Sequence, residues 1–361
     1  MTIMLYATPA VSRALGRQLD ELDDLRSRLG DATGVPGPWL GQIRRQVRAD
    51  TVESSVSIEG FSVPTGEAAA LVTGATTPDP QDRDRMAFAC YARAMDHVGV
   101  MATEPRFRWN ERAILDLHFD ACHFQRDRSP GAWRTTPIAV TGPDGALAYQ
   151  APDADELPDL MAQVVGWLAD GDLDAHAAVR AAMAHLHIVS VHPFRDGNGR
   201  IARIVQSLAL AREGLLAPEF NSIEEYLGRK TADYYAVLRK VQGGRYQPDR
   251  DATPWLRFCI TAHLEQAQLR LSQVTMAAHR WNALEELATN RGWPDRLVVA
   301  LEQSLFSGLD RAGYAAEVDV SPATATSDIR RLVDADLVTQ HGRARNTRYV
   351  ATDRLRRLVI A

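Results

Sequence analysis

His192-Pro193-Phe194-Arg195-Asp196-Gly197-Asn198-Gly199-Arg200-Ile201-Ala202-Arg203 is the densest run of functional groups in the chain. Gly197-Asn198-Gly199, just before a helical pattern, frees backbone N–H groups to converge on one spot. That spot is the positive end of a helix dipole, a ready anion site. Arg200 and Arg203, at i and i+3 in the first helical turn, are expected side by side on one face. Planar guanidiniums suit the oxygens of a polyphosphate there. Asp196 is a hard oxygen ligand of the kind that shares magnesium with phosphates. His192 has the unperturbed pKa of a base for an attacking hydroxyl. Singly, each has an ordinary explanation: a His before Pro is usually a cap, and two helical arginines are usually a solvated face. Together they point to phosphate-group transfer from a nucleotide.

Working outward, the run is flanked by an Ala-rich apolar segment at about 174–189 and a helical pattern to Glu213, stopping near Gly214. Upstream, Leu15, Leu19, Leu22, Leu25 and Leu29 recur at helical spacing and predict a helix that stops at Gly30. A second helical pattern runs from Trp39 through Ile43, Val47 and Val52 to Ile58, with Gly60 as its C-terminal cap. Further helices are expected at about 85–97, 109–124, 155–170, 221–241 and 254–279. Thr136 to Thr141 and Ala146 to Tyr149 flank Gly142-Pro143-Asp144-Gly145 and read as a hairpin. The expectation is a mainly all-α chain in four parts: an N-terminal helical region 1–85, a core 86–250, a connecting helix 251–280 and a C-terminal module 281–361.

A chain of 361 residues predicts two or three units, and a hydrophobic fraction of 45 % can fill a sizeable core. The net charge of -5 excludes a protein that is basic overall, so any nucleic-acid contact must come from a local patch. Cys90, Cys122 and Cys259 lie far apart without CxxC spacing, as expected of reduced thiols rather than a disulfide framework or a zinc site. No apolar run approaches a membrane span, and the first residues lack a signal peptide's basic region. A soluble cytoplasmic protein without membrane partners is expected.

His192 to Arg203 matches the Fic family signature, HPFx[D/E]GN[G/K]RxxR, at every defined position. The resemblance covers about residues 40–260 and implies a mostly helical Fic core with a hairpin flap. It further implies AMP transfer from ATP, with magnesium, to a hydroxyl of a target protein, the protein itself included. In that reading His192 is the base and Asp196 binds magnesium. Asn198 and the amides around Gly197 and Gly199 hold the α-phosphate, and Arg200 and Arg203 grip the β- and γ-phosphates. Tyr234 and Tyr235 fall on the nucleotide side, Phe194 is structural, and Arg195 has no assigned role. The flap's exposed edge pairs with a target segment.

Ser55-Val56-Ser57-Ile58-Glu59-Gly60 also resembles the inhibitory motif [S/T]xxxE[G/N] of autoinhibited Fic proteins, placing an inhibitory helix at about 40–60. The resemblance implies that Glu59 pairs with Arg203 and occupies γ-phosphate space. Relatives with other donors, or with AMP-removing activity, keep those reactions as alternatives.

After Trp281 a helix near 295–306, a short turn, a helix started by Ser321 and Pro322, and a ribbon follow the order of a winged helix-turn-helix. Arg343, Arg345 and Arg348 cluster on its wing, with Arg354, Arg356 and Arg357 beyond. Asp328 and Asp334 beside Arg330 and Arg331 give the recognition helix a mixed face. DNA binding and protein docking, including a homodimer, both stay open. A DNA-binding regulator whose core senses nucleotide is the competing reading.

Overall fold

The computed structural model describes residues 5–34, 37–64, 66–142, 145–214, 217–306, 308–342 and 347–360. The chain divides into two compact units: Met1–Gly34 with Arg44–Leu271, and Val35–Ile43 with Ser272–Ala361. The expected boundary at 85/86 is therefore corrected, because the N-terminal helices share one hydrophobic core with the segments that follow them.

The elements in order are α1 (Arg13–Gly34), α2 (Pro38–Ile58), α3 (Ala68–Val72), α4 (Arg83–Thr103) and α5 (Glu111–Cys122). Next come the hairpin β1 (Ala139–Thr141) and β2 (Leu147–Gln150), then α6 (Leu157–Asp170), α7 (Ala177–Val191) and α8 (Asn198–Arg212). The first unit continues with α9 (Pro218–Asn221), α10 (Glu224–Arg229) and α11 (Thr231–Gln242). It ends within the long helix α12 (Thr253–Asn290).

α7 is the centre of the first unit: every residue from Ala181 to Val191 is buried. Its alanines let α8 and α6 approach closely, and Trp255 closes over it, fully buried with its indole N–H donated to Ala182 O at 2.7 Å. The leucine stripe of α1 is buried as its spacing requires, but the helix runs through Gly30 to Gly34. Thr33, packed one turn on, donates to Leu29 O at 2.8 Å, and the cost of one helical glycine is outweighed. The single helix expected at 221–241 is instead two, α10 and α11, parted at Lys230; before them Ser222 turns extended after α9 and its hydroxyl bonds the buried Glu224 carboxylate.

β1 and β2 pair antiparallel with an irregularity between Val140 and Thr141; Pro143 and Asp144 of the expected turn lie outside the described residues. The far side of β2 is engaged, Gln150 N donating to Gly244 O at 2.9 Å and Tyr246 N to Gln150 O at 3.1 Å. Among the described residues β1 pairs with β2 alone, leaving its outer edge open.

α12 does not stop near 280: Trp281 bonds Glu285 one turn on, and buried Leu284 and Ala288 carry the helix to Asn290. The second unit then holds α13 (Arg296–Leu305), α14 (Arg311–Glu317), α15 (Pro322–Asp334), the ribbon β3 (Val338–His341) and β4 (Arg348–Ala351), and α16 (Asp353–Ile360). Ser321 caps α15 by accepting from Thr324 N at 3.1 Å. Asp328 is not on an exposed face as expected; it is buried, held by Arg296 at 2.7 and 3.1 Å and by the Tyr314 hydroxyl at 3.0 Å. Arg343 and Arg345 lie outside the described residues, Arg348 pairs with Asp310, and Arg354, Arg356 and Arg357 sit on α16. Among the described residues no helix is long and apolar enough to cross a membrane.

Trp255→Ala should cost about 3–5 kcal/mol through the cavity it leaves. Calorimetry should show a lowered melting transition for the first unit; an unmoved transition would contradict the anchoring role.

Candidate active site

The motif forms the short reversal between α7 and α8. His192 ends α7 in the left-handed region (φ 54), its N–H still donating to Ile188 O at 3.0 Å, and Pro193 forbids another helical turn. Gly197 (φ 81) starts α8, and the position is closed to larger residues: a Cβ there would lie 2.5 Å from Cys122 Sγ. Phe194 is fully buried and stacked on His118, ring centroids 3.6 Å apart. Asn198 brackets Phe194, accepting from its N–H at 2.9 Å and donating to its carbonyl at 2.8 Å. The Asn198 side chain thus braces the loop.

His118, which carried no sequence signal, fixes the other end of the loop. Its Nδ1 accepts from Gly131 N at 2.8 Å, so Nε2 bears the proton and donates to Asp196 O at 3.0 Å. Burial lowers its pKa to about 4, which keeps that neutral tautomer in place. Arg134 likewise carries no signal in the sequence. Buried, it donates from its backbone N to Pro193 O at 2.9 Å and from Nε to His192 O at 2.9 Å, pinning the root of the flap to the loop.

His192 Nδ1 lies 3.1 Å from Val189 O. A carbonyl can only accept, so Nδ1 carries the proton and Nε2 keeps its lone pair, the tautomer a general base needs. Burial lowers its pKa below the ordinary 6.5, against the opposing pull of the Val189 bond.

The two arginines do not share a face. Arg200, about 1 % exposed, donates to Gln125 Oε1 at 2.7 Å, lies 3.4 Å from Asp196 Oδ1, and sits 5.5 and 5.7 Å from the ring centres of Phe61 and Phe124. It is occupied beneath Asp196, because those aromatics and that amide give a buried guanidinium its partners. Arg203 turns instead to α2, Nε donating to Ser55 Oγ at 2.7 Å, Nη2 to Ser55 O at 3.0 Å and to Glu59 Oε1 at 2.7 Å. Burial alone would disfavour its charge, but Glu59 more than offsets this and its pKa is raised. Gly60 (φ 87) turns the chain away just after Glu59.

Asp196 is part-exposed, accepting from Gln125 Nε2 at 2.8 Å and from Gly197 N at 2.6 Å. Among the described residues no group of three or more His, Cys, Asp or Glu could hold a metal. One carboxylate of this kind fits magnesium only where phosphates complete the shell. Tyr234 is buried, its hydroxyl donated to His185 Nε2 at 3.0 Å, while His185 Nδ1 faces Gln206 Oε1 at 2.7 Å. Tyr234 nevertheless lines the cavity described below. Tyr235 is 39 % exposed.

These groups surround a cavity of about 790 Å³, walled by Glu59, His192, Asp196, Gly199 and Tyr235, with the flap from Ile138 to Gly142 across from them. Glu59 occupies the head of α8: a Cβ on Gly199 would meet its Oε1 at 2.5 Å. The cavity therefore joins a neutral imidazole, two carboxylates and a helix N-terminus, with the Arg203 guanidinium held behind Glu59.

Residues 108–210 match the model of the Fic/DOC family. Protein adenylyltransferase fic-1 of Caenorhabditis briggsae is 27 % identical over 268 residues, 73 % of this chain and 49 % of that protein. Protein adenylyltransferase Fic of Nematostella vectensis is 23 % identical over 254 residues, 70 % of this chain and 55 % of that one. The chain thus spans about half the length of the curated relatives it matches. A Fic family protein from Desulfovibrio desulfuricans shares the fold with a TM-score of 0.62 at 20 % identity, over 96 % of this chain and 98 % of that one. Fic-1 from Caenorhabditis elegans gives 0.58 at 23 %, over 73 % of each chain. With the signature loop, its flap and the matched segment in one place, residues 108–210 form a Fic domain.

Proposed function

We propose that the chain is a protein adenylyltransferase that moves AMP from ATP to a hydroxyl of a target protein and is held off by Glu59. The observation that carries the reading is His192 with Nε2 left basic at the wall of a cavity closed on another side by the head of α8. The acceptor oxygen forms its bond to the α-phosphorus as the bond to the β-bridging oxygen breaks. Nε2 takes the hydroxyl proton, and pyrophosphate leaves. Backbone N–H groups at the head of α8 face the charge that develops on the phosphate. Asp196 would hold magnesium together with the phosphates, supplying charge neutralisation. The open edge of β1 gives the target segment a strand to pair with.

Two facts support the brake. Glu59 neutralises Arg203 at 2.7 Å, and its carboxylate lies over Gly199, where a terminal phosphate would otherwise meet the helix. Glu59→Gly should raise labelling of protein from α-labelled ATP by roughly ten- to a hundredfold, the worth of one charge-assisted bond. Adding His192→Ala should reduce it by at least about a hundredfold. No gain from Glu59→Gly would remove the brake; persistent labelling without His192 would remove the base.

The pH dependence follows in sign. Because the His192 pKa lies below 6.5, the basic form persists into mild acid, and the rate of Glu59→Gly should fall only below that value. Glu59 raises the His192 pKa, so its removal moves the limb further the same way. An acid limb centred above 6.5 in the pH–rate profile would contradict this.

For the second unit the burial of Asp328 favours duplex DNA as partner. It leaves Thr326, Ser327, Arg330 and Arg331 exposed on α15 with one fewer negative charge beside them. Binding of a short mixed-sequence duplex should weaken steeply with salt, and Arg330→Ala should weaken it about tenfold. No binding at low salt would return this unit to protein docking.

A further inference from the structure

The cations around the cavity are unequal. Arg134, Arg200 and Arg203 are buried and engaged, each by at least two acceptors. Arg195 and Arg239, by contrast, line the cavity; both are exposed, and among the described residues neither guanidinium makes a hydrogen bond or an ion pair. A guanidinium without a partner at a cavity rim offers a fork of donors matched to a carboxylate.

Arg195 and Arg239 differ in what carries them. Arg195 belongs to the loop between His192 and Asp196, which Arg134 pins to the flap. Attacking and leaving oxygens lie on opposite sides of the phosphorus, roughly in line. The loop that bears the base is therefore on the incoming hydroxyl's side, whereas pyrophosphate departs toward Gly199 and Arg203. Arg239 is on α11, one helical turn beyond Tyr235. Pairing with the edge of β1 positions a backbone but selects few side chains. The flap strand beside the loop, Ala139-Val140-Thr141, carries no charge. The charge left to discriminate among acceptors on that side is Arg195.

We propose that Arg195 is a specificity-determining residue that selects acceptor segments bearing an acidic side chain within a few residues of the acceptor hydroxyl. The proposal rests on the transfer reading above. It gives the variable position of the signature a task distinct from the chemistry: the base, phosphate and magnesium groups serve every acceptor alike, while this side chain ranks them.

The test uses the full chain carrying Glu59→Gly, α-labelled ATP, and synthetic hydroxyl-bearing peptides that differ only in Asp, Asn or Lys beside the acceptor. Asp peptides should be labelled on the order of five times more efficiently than Asn peptides, an effect suited to an ion pair at a wet rim. The difference should lie in KM rather than kcat. Arg195→Glu should reverse the order toward Lys, and Arg239→Glu should not. If peptides are too short to be labelled, sites mapped by mass spectrometry on lysate proteins serve instead, and enrichment of flanking Asp or Glu is expected. Equal labelling of all three peptides, lysate sites without acidic flanks, or reversal by Arg239→Glu alone would overturn the proposal while leaving transfer intact. No AMP on any peptide or protein would instead overturn the transfer reading, and this inference with it.

Discussion

Burying the reversal between α7 and α8 is the constraint on which the rest depends. A loop that leaves one interior helix and enters another must find partners for its peptide groups without water. The side chains around it supply them. Arg134 takes the carbonyls of His192 and Pro193, Asn198 takes both groups of Phe194, His118 takes the carbonyl of Asp196, and the Asp196 carboxylate takes the N–H of Gly197. Satisfying the backbone is thus the same act as fixing the imidazole, the carboxylate and the head of α8 relative to one another. Preorganisation at this site is a by-product of hydrogen-bond accounting in the core.

The second layer of the same problem is charge. Two guanidiniums about 1 % exposed sit within one turn of α8. Neither is tolerable alone, so each has drawn a dedicated set of acceptors: an amide and two aromatic faces for Arg200, a serine and a carboxylate for Arg203. The divergence of neighbours three residues apart follows from where those acceptors lie: Gln125 and Phe124 just after α5, with Phe61 beside them, in one case, and the last turn of α2 with Glu59 in the other.

Much of this was legible in the chain. Spacing and the glycine pair placed the anion site at the head of a helix, and the leucine and alanine patterns marked α1 and α7 as core. The resemblance of Ser55 to Gly60 to an inhibitory motif pointed to the pairing of Glu59 with Arg203. What escaped was whatever depends on contacts between distant segments. His118 and Arg134 look like any histidine and arginine in sequence; only the fold brings them 78 and 58 residues along the chain to the loop. The bonds that Asn198 makes to Phe194 and Tyr234 to His185 left no mark in the sequence either. The unit boundary was missed for a related reason: a shared core leaves no mark in composition, and α12 keeps its helical pattern across the point where one unit gives way to the other.

The grip of α2 on Arg203 has an unequal anatomy. Of its three bonds, two come from Ser55 and one from Glu59. Turning the carboxylate aside forfeits a single bond and leaves the guanidinium aimed and partnered; lifting the helix away forfeits all three and strands a charge in the protein interior. The two ways of opening the site are therefore not interchangeable. One frees a preset arginine, the other unmakes it, so α2 is as much a wall of the reaction chamber as its bolt. Truncation of the helix and substitution of its glutamate would accordingly yield two different proteins.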